Sequence, residues 1–315
     1  MDIEVLTRGV LDREARAVAR AISLVEDGRP ELAALSAGIY GHTGAAATIG
    51  LTGAPGVGKS TLATALVRAA RADGRRVAVL AIDPTSPYTG GALLGDRVRM
   101  QEHATDPDVF IRSMATRGHL GGMSLAAPEA VRILEAAGFD LVIVETVGVG
   151  QAEVDVAAAT DTAVVVLAPG LGDAVQMAKA GILEVADVFI VNKADRDGAA
   201  AVVRELRQML HLGPVRPWDP PVLSTTASAD EGIGELWSTI EEHGRWAVAS
   251  GGRDAKRRDR LLREVESLGA ERLRLDLTRA LDADADLVER LVSRAVDPYG
   301  AAEELVRGVR DEGRE

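Results

Sequence analysis

Gly53-Ala54-Pro55-Gly56-Val57-Gly58-Lys59-Ser60 follows the pattern G-x-x-x-x-G-K-[ST], whose chemistry is the grip of a nucleoside phosphate. Glycines there let backbone N–H groups converge on phosphate oxygens, and a helix opening at Ser60-Thr61 adds partial positive charge. Lys59 is placed to bridge the β- and γ-phosphates, and the Ser60 hydroxyl to ligate Mg²⁺. Asn192-Lys193-Ala194-Asp195, an N-K-x-D segment, supplies the second half of the chemistry. The Asp195 carboxylate can accept from guanine N1–H and from the 2-amino group. Adenine offers neither donor, and a desolvated carboxylate left unpaired costs roughly a few kcal/mol. Ser224-Thr225-Thr226-Ala227 closes a later strand and is a candidate for a further base contact.

Lysine usage agrees with this reading. The chain holds four lysines among 36 basic residues, and two of the four fall inside these motifs. Where arginine serves almost everywhere, a retained lysine marks a place for a compact ammonium. Lys179 is the third, in Gly170-Leu171-Gly172-Asp173-Ala174-Val175-Gln176-Met177-Ala178-Lys179, where it is either a plain surface lysine or part of a third mobile loop.

Acids at strand ends are the metal candidates. Leu141-Val142-Ile143-Val144 delivers Glu145, and Thr146-Val147-Gly148 completes an E-x-x-G segment whose glycine N–H would sense the γ-phosphate. Asp83 ends an apolar run and opens the stretch Pro84–Leu94, and Asp96 closes it. Val149 stands where many GTPases carry a water-orienting glutamine, with Gln151 two positions on. Slow unaided hydrolysis is the expectation.

These residues need a scaffold. Residues 1–46 read as a helical extension, with Val10, Leu11, Val18, Ile22 and Val25 at three- and four-residue spacing. Strands are expected near Thr48–Thr52, Val77–Ile82, Val109–Arg112, Leu141–Glu145, Ala163–Ala168, Val188–Asn192 and Val222–Thr225, alternating with helical segments. Several are apolar without alternation, as strands covered on both faces should be. The fold class is α/β: a mainly parallel sheet flanked by helices, with helical extensions at both ends. Residues 47–244 form the nucleotide domain and 245–315 a helical C-terminal region, hinged near Ser250-Gly251-Gly252. In that region Leu261, Leu262, Val265 and Leu268 line one side of a long charged helix. A last helical piece follows near Tyr299–Val309.

Composition excludes several classes. The chain has 315 residues, of which 47% are hydrophobic, enough for a full α/β core. A net charge of −12 argues against nucleic-acid and anionic-membrane partners. The basic cluster Arg253, Lys256, Arg257, Arg258, Arg260 and Arg263, interleaved with Asp254 and Asp259, reads as a solvated helix face. Without cysteine there are no disulfides or thiolate metal sites. Met1-Asp2-Ile3-Glu4 lacks a signal-peptide pattern, and no apolar run approaches a membrane span, so the cytoplasm is the expected location.

Taken together, Gly53–Thr61, Asp83-Pro84-Thr85-Ser86, Gly95-Asp96-Arg97-Val98-Arg99-Met100, Arg117-Gly118-His119-Leu120-Gly121-Gly122, Glu145–Gln151, Asn192–Asp195 and Asp297-Pro298-Tyr299 carry a resemblance. The chain resembles the MeaB/ArgK family of P-loop GTPases, related to the human methylmalonic aciduria type A protein. The resemblance implies a SIMIBI-class GTPase that chaperones an adenosylcobalamin-dependent acyl-CoA mutase, typically methylmalonyl-CoA mutase. GTP binding and hydrolysis would gate cofactor loading and protect or reactivate that mutase. It also implies homodimers formed through the helical extensions and switch segments at about 84–100, 146–155 and 170–182, the third bringing in Lys179. The Mg²⁺ acids would be Asp83, Asp96 and Glu145. The chain departs from a sharp family pattern at Ser224–Ala227. Two other readings stay open: a metal-insertion GTPase, with His119 in a glycine-rich context, and a GTP-sensing adaptor without useful turnover. The first usually advertises His and Cys clusters, and here there are five scattered histidines.

Overall fold

A computed structural model of the chain describes residues 2–84, 101–103, 105–116, 122–146, 152–171 and 182–312. It divides into two compact units, Met1–Arg260 and Leu261–Glu315.

The first unit is built on seven strands: β1 (Ala47–Thr52), β2 (Val77–Pro84), β3 (Val109–Thr116), β4 (Leu141–Thr146), β5 (Thr162–Leu167), β6 (Val188–Asn192) and β7 (Val222–Thr225). They pair in the order β3-β2-β4-β1-β5-β6-β7, all parallel. Each expected strand is present, within one residue at most ends. β2 and β3 run further toward the site than their apolar cores suggested.

The two faces follow from the period of two. In β2, Ala78, Leu80 and Ile82 join one core, while Val77 and Val79 join the other; in β4, Val142 and Val144 oppose Leu141 and Ile143. On the first face lie α1 (Ile3–Leu11), α2 (Ala15–Glu26), α3 (Leu32–Ile39) and α5 (Gly122–Ala136). The N-terminal helices are thus part of the sheet's own core. Asp2 Oδ1 caps α1 by accepting from Glu4 N at 2.9 Å, and Val18, Ile22 and Val25 of α2 are buried. On the second face lie α4 (Lys59–Ala72) and α9 (Ile233–Ala249). α8 (Ala199–Leu212) covers β5 and β6 in a third cluster around Phe189. The shorter α6 (Ala152–Ala159) and α7 (Ile182–Val185) complete the unit.

α10 (Gly252–Ala283) begins in this unit, and its basic cluster is a correction to the sequence reading. Arg258 and Arg263 are exposed, as a solvated face requires. Lys256, Arg257 and Arg260 instead turn to the lower strand ends. Arg257 Nε donates to Asp161 Oδ1 at 3.0 Å and its Nη2 to Ala46 O at 2.7 Å. Arg260 lies 3.4 Å from the same carboxylate, and Lys256 3.4 Å from Asp187. A buried acid before β5 and a half-buried one before β6 demand cations, which charge spacing within α10 could not reveal.

In the second unit, the rest of α10 is followed by α11 (Ala285–Val292) and α12 (Pro298–Glu312). α11 was not separable in the sequence; Asp284 caps it, accepting from Leu287 N at 2.9 Å. Among the described residues no helix is long and apolar enough to cross a membrane.

Candidate nucleotide site

β1 ends at Thr52 and the chain turns at once into the glycine loop, with α4 starting at Lys59. Gly53 and Gly58 have φ of 141° and 99°, a region that side chains with a Cβ avoid. Space forbids a Cβ as well. One on Gly53 would lie 2.1 Å from Val166 O, and one on Gly58 2.4 Å from Asn192 Nδ2. Pro55 and Gly56 are exposed at the tip, Ala54 is half-buried, Val57 is buried, and Thr61 is exposed on α4. Lys59 is buried and its Nζ donates to Gly53 O at 2.6 Å and Ala54 O at 3.0 Å. The ammonium therefore curls back over the loop that should receive the phosphates.

Ser60 and Glu145 meet. Ser60 Oγ donates to Glu145 Oε1 at 2.6 Å, and the two residues are 8% and 4% exposed. A hydroxyl and a carboxylate, both hard oxygen donors at one phosphate-facing point, suit Mg²⁺. Asp83 belongs to the end of β2, one step past the Ile82–Thr146 pairing, so the backbone brings it to the same edge. Asp96, Gly148, Gln151 and Lys179 lie outside the described residues, as does His119. Among the described residues no group of three His, Cys, Asp or Glu is arranged to hold a metal ion.

The base motif is tied directly to the phosphate loop. Asn192 is 2% exposed; its Nδ2 donates to Val57 O at 2.8 Å. Its Oδ1 accepts from Thr225 Oγ1 and from Ala227 N, each at 3.1 Å. Lys193 Nζ donates to Gly56 O at 2.6 Å, from a backbone with φ of 57°. Ala194 N donates to Thr225 O at 3.0 Å, clamping the motif to the end of β7. Asp195 is left exposed beyond that clamp, with Ser224 exposed and Thr226 and Ala227 buried.

So the glycine loop, Ser60, Glu145, Asn192, Lys193 and Thr225 come together at the C-terminal edge of a parallel sheet, where ligands of such sheets bind. Sequence reasoning missed the Thr146–Thr52 contact, with hydroxyls 3.4 Å apart under the loop. Two threonines at adjacent strand ends were the available signal.

Known proteins resemble the chain in both sequence and fold. The family model described as Methylmalonyl Co-A mutase-associated GTPase MeaB matches residues 18–282. A Pyrococcus horikoshii protein named as an inferred GTPase is 47% identical over 305 residues, covering 96% of this chain and 95% of its own. GTPase ArgK of Escherichia coli is 41% identical over 247 residues, covering 76% and 75%. A crystal structure titled LAO/AO transport system kinase superposes with a TM-score of 0.71 at 28% identity, covering 98% of this chain and 97% of that one. With a phosphate loop braced on an N-K-x-D segment and these relatives along nearly its whole length, the chain belongs to the MeaB family of methylmalonyl-CoA mutase-associated GTPases.

Proposed function

We propose that this GTPase is a Mg²⁺-dependent chaperone of an adenosylcobalamin-dependent acyl-CoA mutase, with methylmalonyl-CoA mutase as its partner. GTP hydrolysis would gate cofactor loading and protect or reactivate the mutase. The observation that carries the nucleotide part is the brace from Asn192 to Val57, which makes the base-reading and phosphate-holding segments one body. The description of the matched family supports the mutase part.

In this reading the amides of Gly53 to Ser60 hold the β- and γ-phosphates. Lys59 leaves the carbonyls of Gly53 and Ala54 for the phosphate oxygens, and its charge draws off the negative charge that develops on cleavage. Ser60 and Glu145, with Asp83 and Asp96, hold Mg²⁺, which when bound neutralises phosphate charge. Gly148 senses the γ-phosphate, while Gln151 and Lys179 serve the reacting end. Asp195 reads guanine, Lys193 and Asn192 fix that reader, and Ser224, Thr225, Thr226 and Ala227 border the base. The protein works as a cytoplasmic homodimer.

Single-turnover GTP hydrolysis with and without methylmalonyl-CoA mutase tests this. Acceleration by the mutase is expected, from an unaided rate well below the roughly ten per second of stimulated GTPases. GTP binding without acceleration would leave the adaptor reading in its place.

A further inference from the structure

Gly50 sits in the middle of β1, three residues before the phosphate loop, with the last turn of α6 directly against it. A Cβ placed on it would lie 2.5 Å from Thr160 Oγ1, 2.7 Å from Val156 Cγ1 and 3.2 Å from Val156 O. Gly50 is not among the residues with positive φ, so the backbone would accept any strand residue. What requires glycine here is the approach of the helix.

The neighbours cannot swing aside. Val156 and Thr160 are fully buried and β-branched, and Thr160 Oγ1 donates to Val156 O at 2.9 Å. Restoring ordinary carbon contacts would therefore push the helix turn back by about 1 Å.

That helix matters because of what precedes it. Residues 147–151, which include Gly148 and Gln151, join Thr146 of β4 to Ala152 of α6. Thr146 is anchored on β1 through Thr52, and α6 is anchored on β1 at Gly50. Both attachments of this connection are set by the strand that carries the phosphate loop. The geometry points to Gly50 as a positioning residue for GTP hydrolysis: its missing side chain sets the distance between the phosphate loop and the helix that follows Gly148 and Gln151. This inference rests on the proposed roles of those two residues.

Gly50→Ala should lower kcat for GTP hydrolysis about 10- to 100-fold, as a misplacement of about 1 Å does, with GDP affinity kept within about twofold. Adding Val156→Ala and Thr160→Ala removes the two contacts under 3 Å, leaving Val156 O at 3.2 Å, and should return kcat to within about threefold of the unsubstituted protein. That rescue is a readout that general damage to the strand would not give. Unchanged kcat in Gly50→Ala would overturn the inference, as would parallel loss of GDP and GTP binding or failure of the rescue. If Gly50→Ala does not fold, the triple variant alone decides, and it must hydrolyse GTP nearly as the unsubstituted protein does. An unsubstituted protein that neither binds nor cleaves GTP would instead sink the functional reading beneath it.

Discussion

Asn192 Nδ2 donates to the carbonyl oxygen of Val57 at 2.8 Å, joining the tip of the base motif to the phosphate loop. The same side chain accepts from Thr225 Oγ1 and Ala227 N, so three segments share one buried amide. A nucleotide spanning base and phosphates would thus meet a preset distance between its two ends. Order of this kind lowers the cost of binding.

Asn192→Ala would strand Val57 O, Ala227 N and the Thr225 hydroxyl in a buried place. The expected loss is about 1–3 kcal/mol of stability, together with weaker binding of GDP and GTP alike. Urea denaturation and calorimetric titration check it, and an effect on GTP alone would contradict the brace.

Asp195 makes the opposite case, since it is exposed and its carboxylate has no hydrogen bond or ion pair among the described residues. Asp195→Asn should leave stability within about 0.5 kcal/mol and shift preference from GTP to xanthosine triphosphate. Competition between the two triphosphates measures the shift. Undiminished GTP selectivity would remove Asp195 as the reader.

How much of this was legible follows from the range of each interaction. Seven strands and the glycine loop could be read because their signals are local: apolar runs such as Leu141–Val144 and a fixed eight-residue pattern. The Ser60–Glu145 contact could be anticipated from chemistry, since both residues suit one metal. Asn192 was legible as part of a motif but not as a brace, because its partner Val57 lies 135 residues away. The docking of Arg257 was hidden for the same reason, its partner Asp161 being 96 residues distant. Gly50 gave no signal, for a glycine in an apolar strand is silent until the helix above it is placed.

Arg257 and Asp161 also give the protein a pH dependence. Burial alone would push the Asp161 carboxyl up, but the hydrogen bond and charge of Arg257, together with the charge of Arg260 and a hydrogen bond with Thr48, outweigh it and hold the group below its ordinary value. A carboxylate depressed in the folded state stabilises above its unfolded pKa of about 3.9, and that stability fades as pH falls through the folded value. Arg257→Ala should therefore cost about 3 kcal/mol at pH 7, the low end for a broken buried pair, because Arg260 stays near the carboxylate. The gap between the two proteins should narrow as pH falls below the ordinary carboxylate range and Asp161 takes up a proton. Urea midpoints at several pH values test this; a gap that widens in acid would contradict the pairing.

The proposed homodimer has a definite surface to be tried. In the unit Leu261–Glu315, α10 presents Leu261, Val265, Leu268 and Leu275 at steps of four, three and seven, all exposed, with Val265 67% and Leu268 53% open. Such spacing places them along one helix side, the seam by which helices of two copies pack. Scattered surface leucines are ordinary, but an aligned row of four is costly to leave in water. Val265→Glu with Leu268→Glu should convert the protein from twice the chain mass to the single chain mass in sedimentation equilibrium. GTP binding should persist in that variant, because every residue proposed to contact the nucleotide lies within Met1–Arg260. A doubly substituted protein that sediments as the unsubstituted one does would move the interface away from α10.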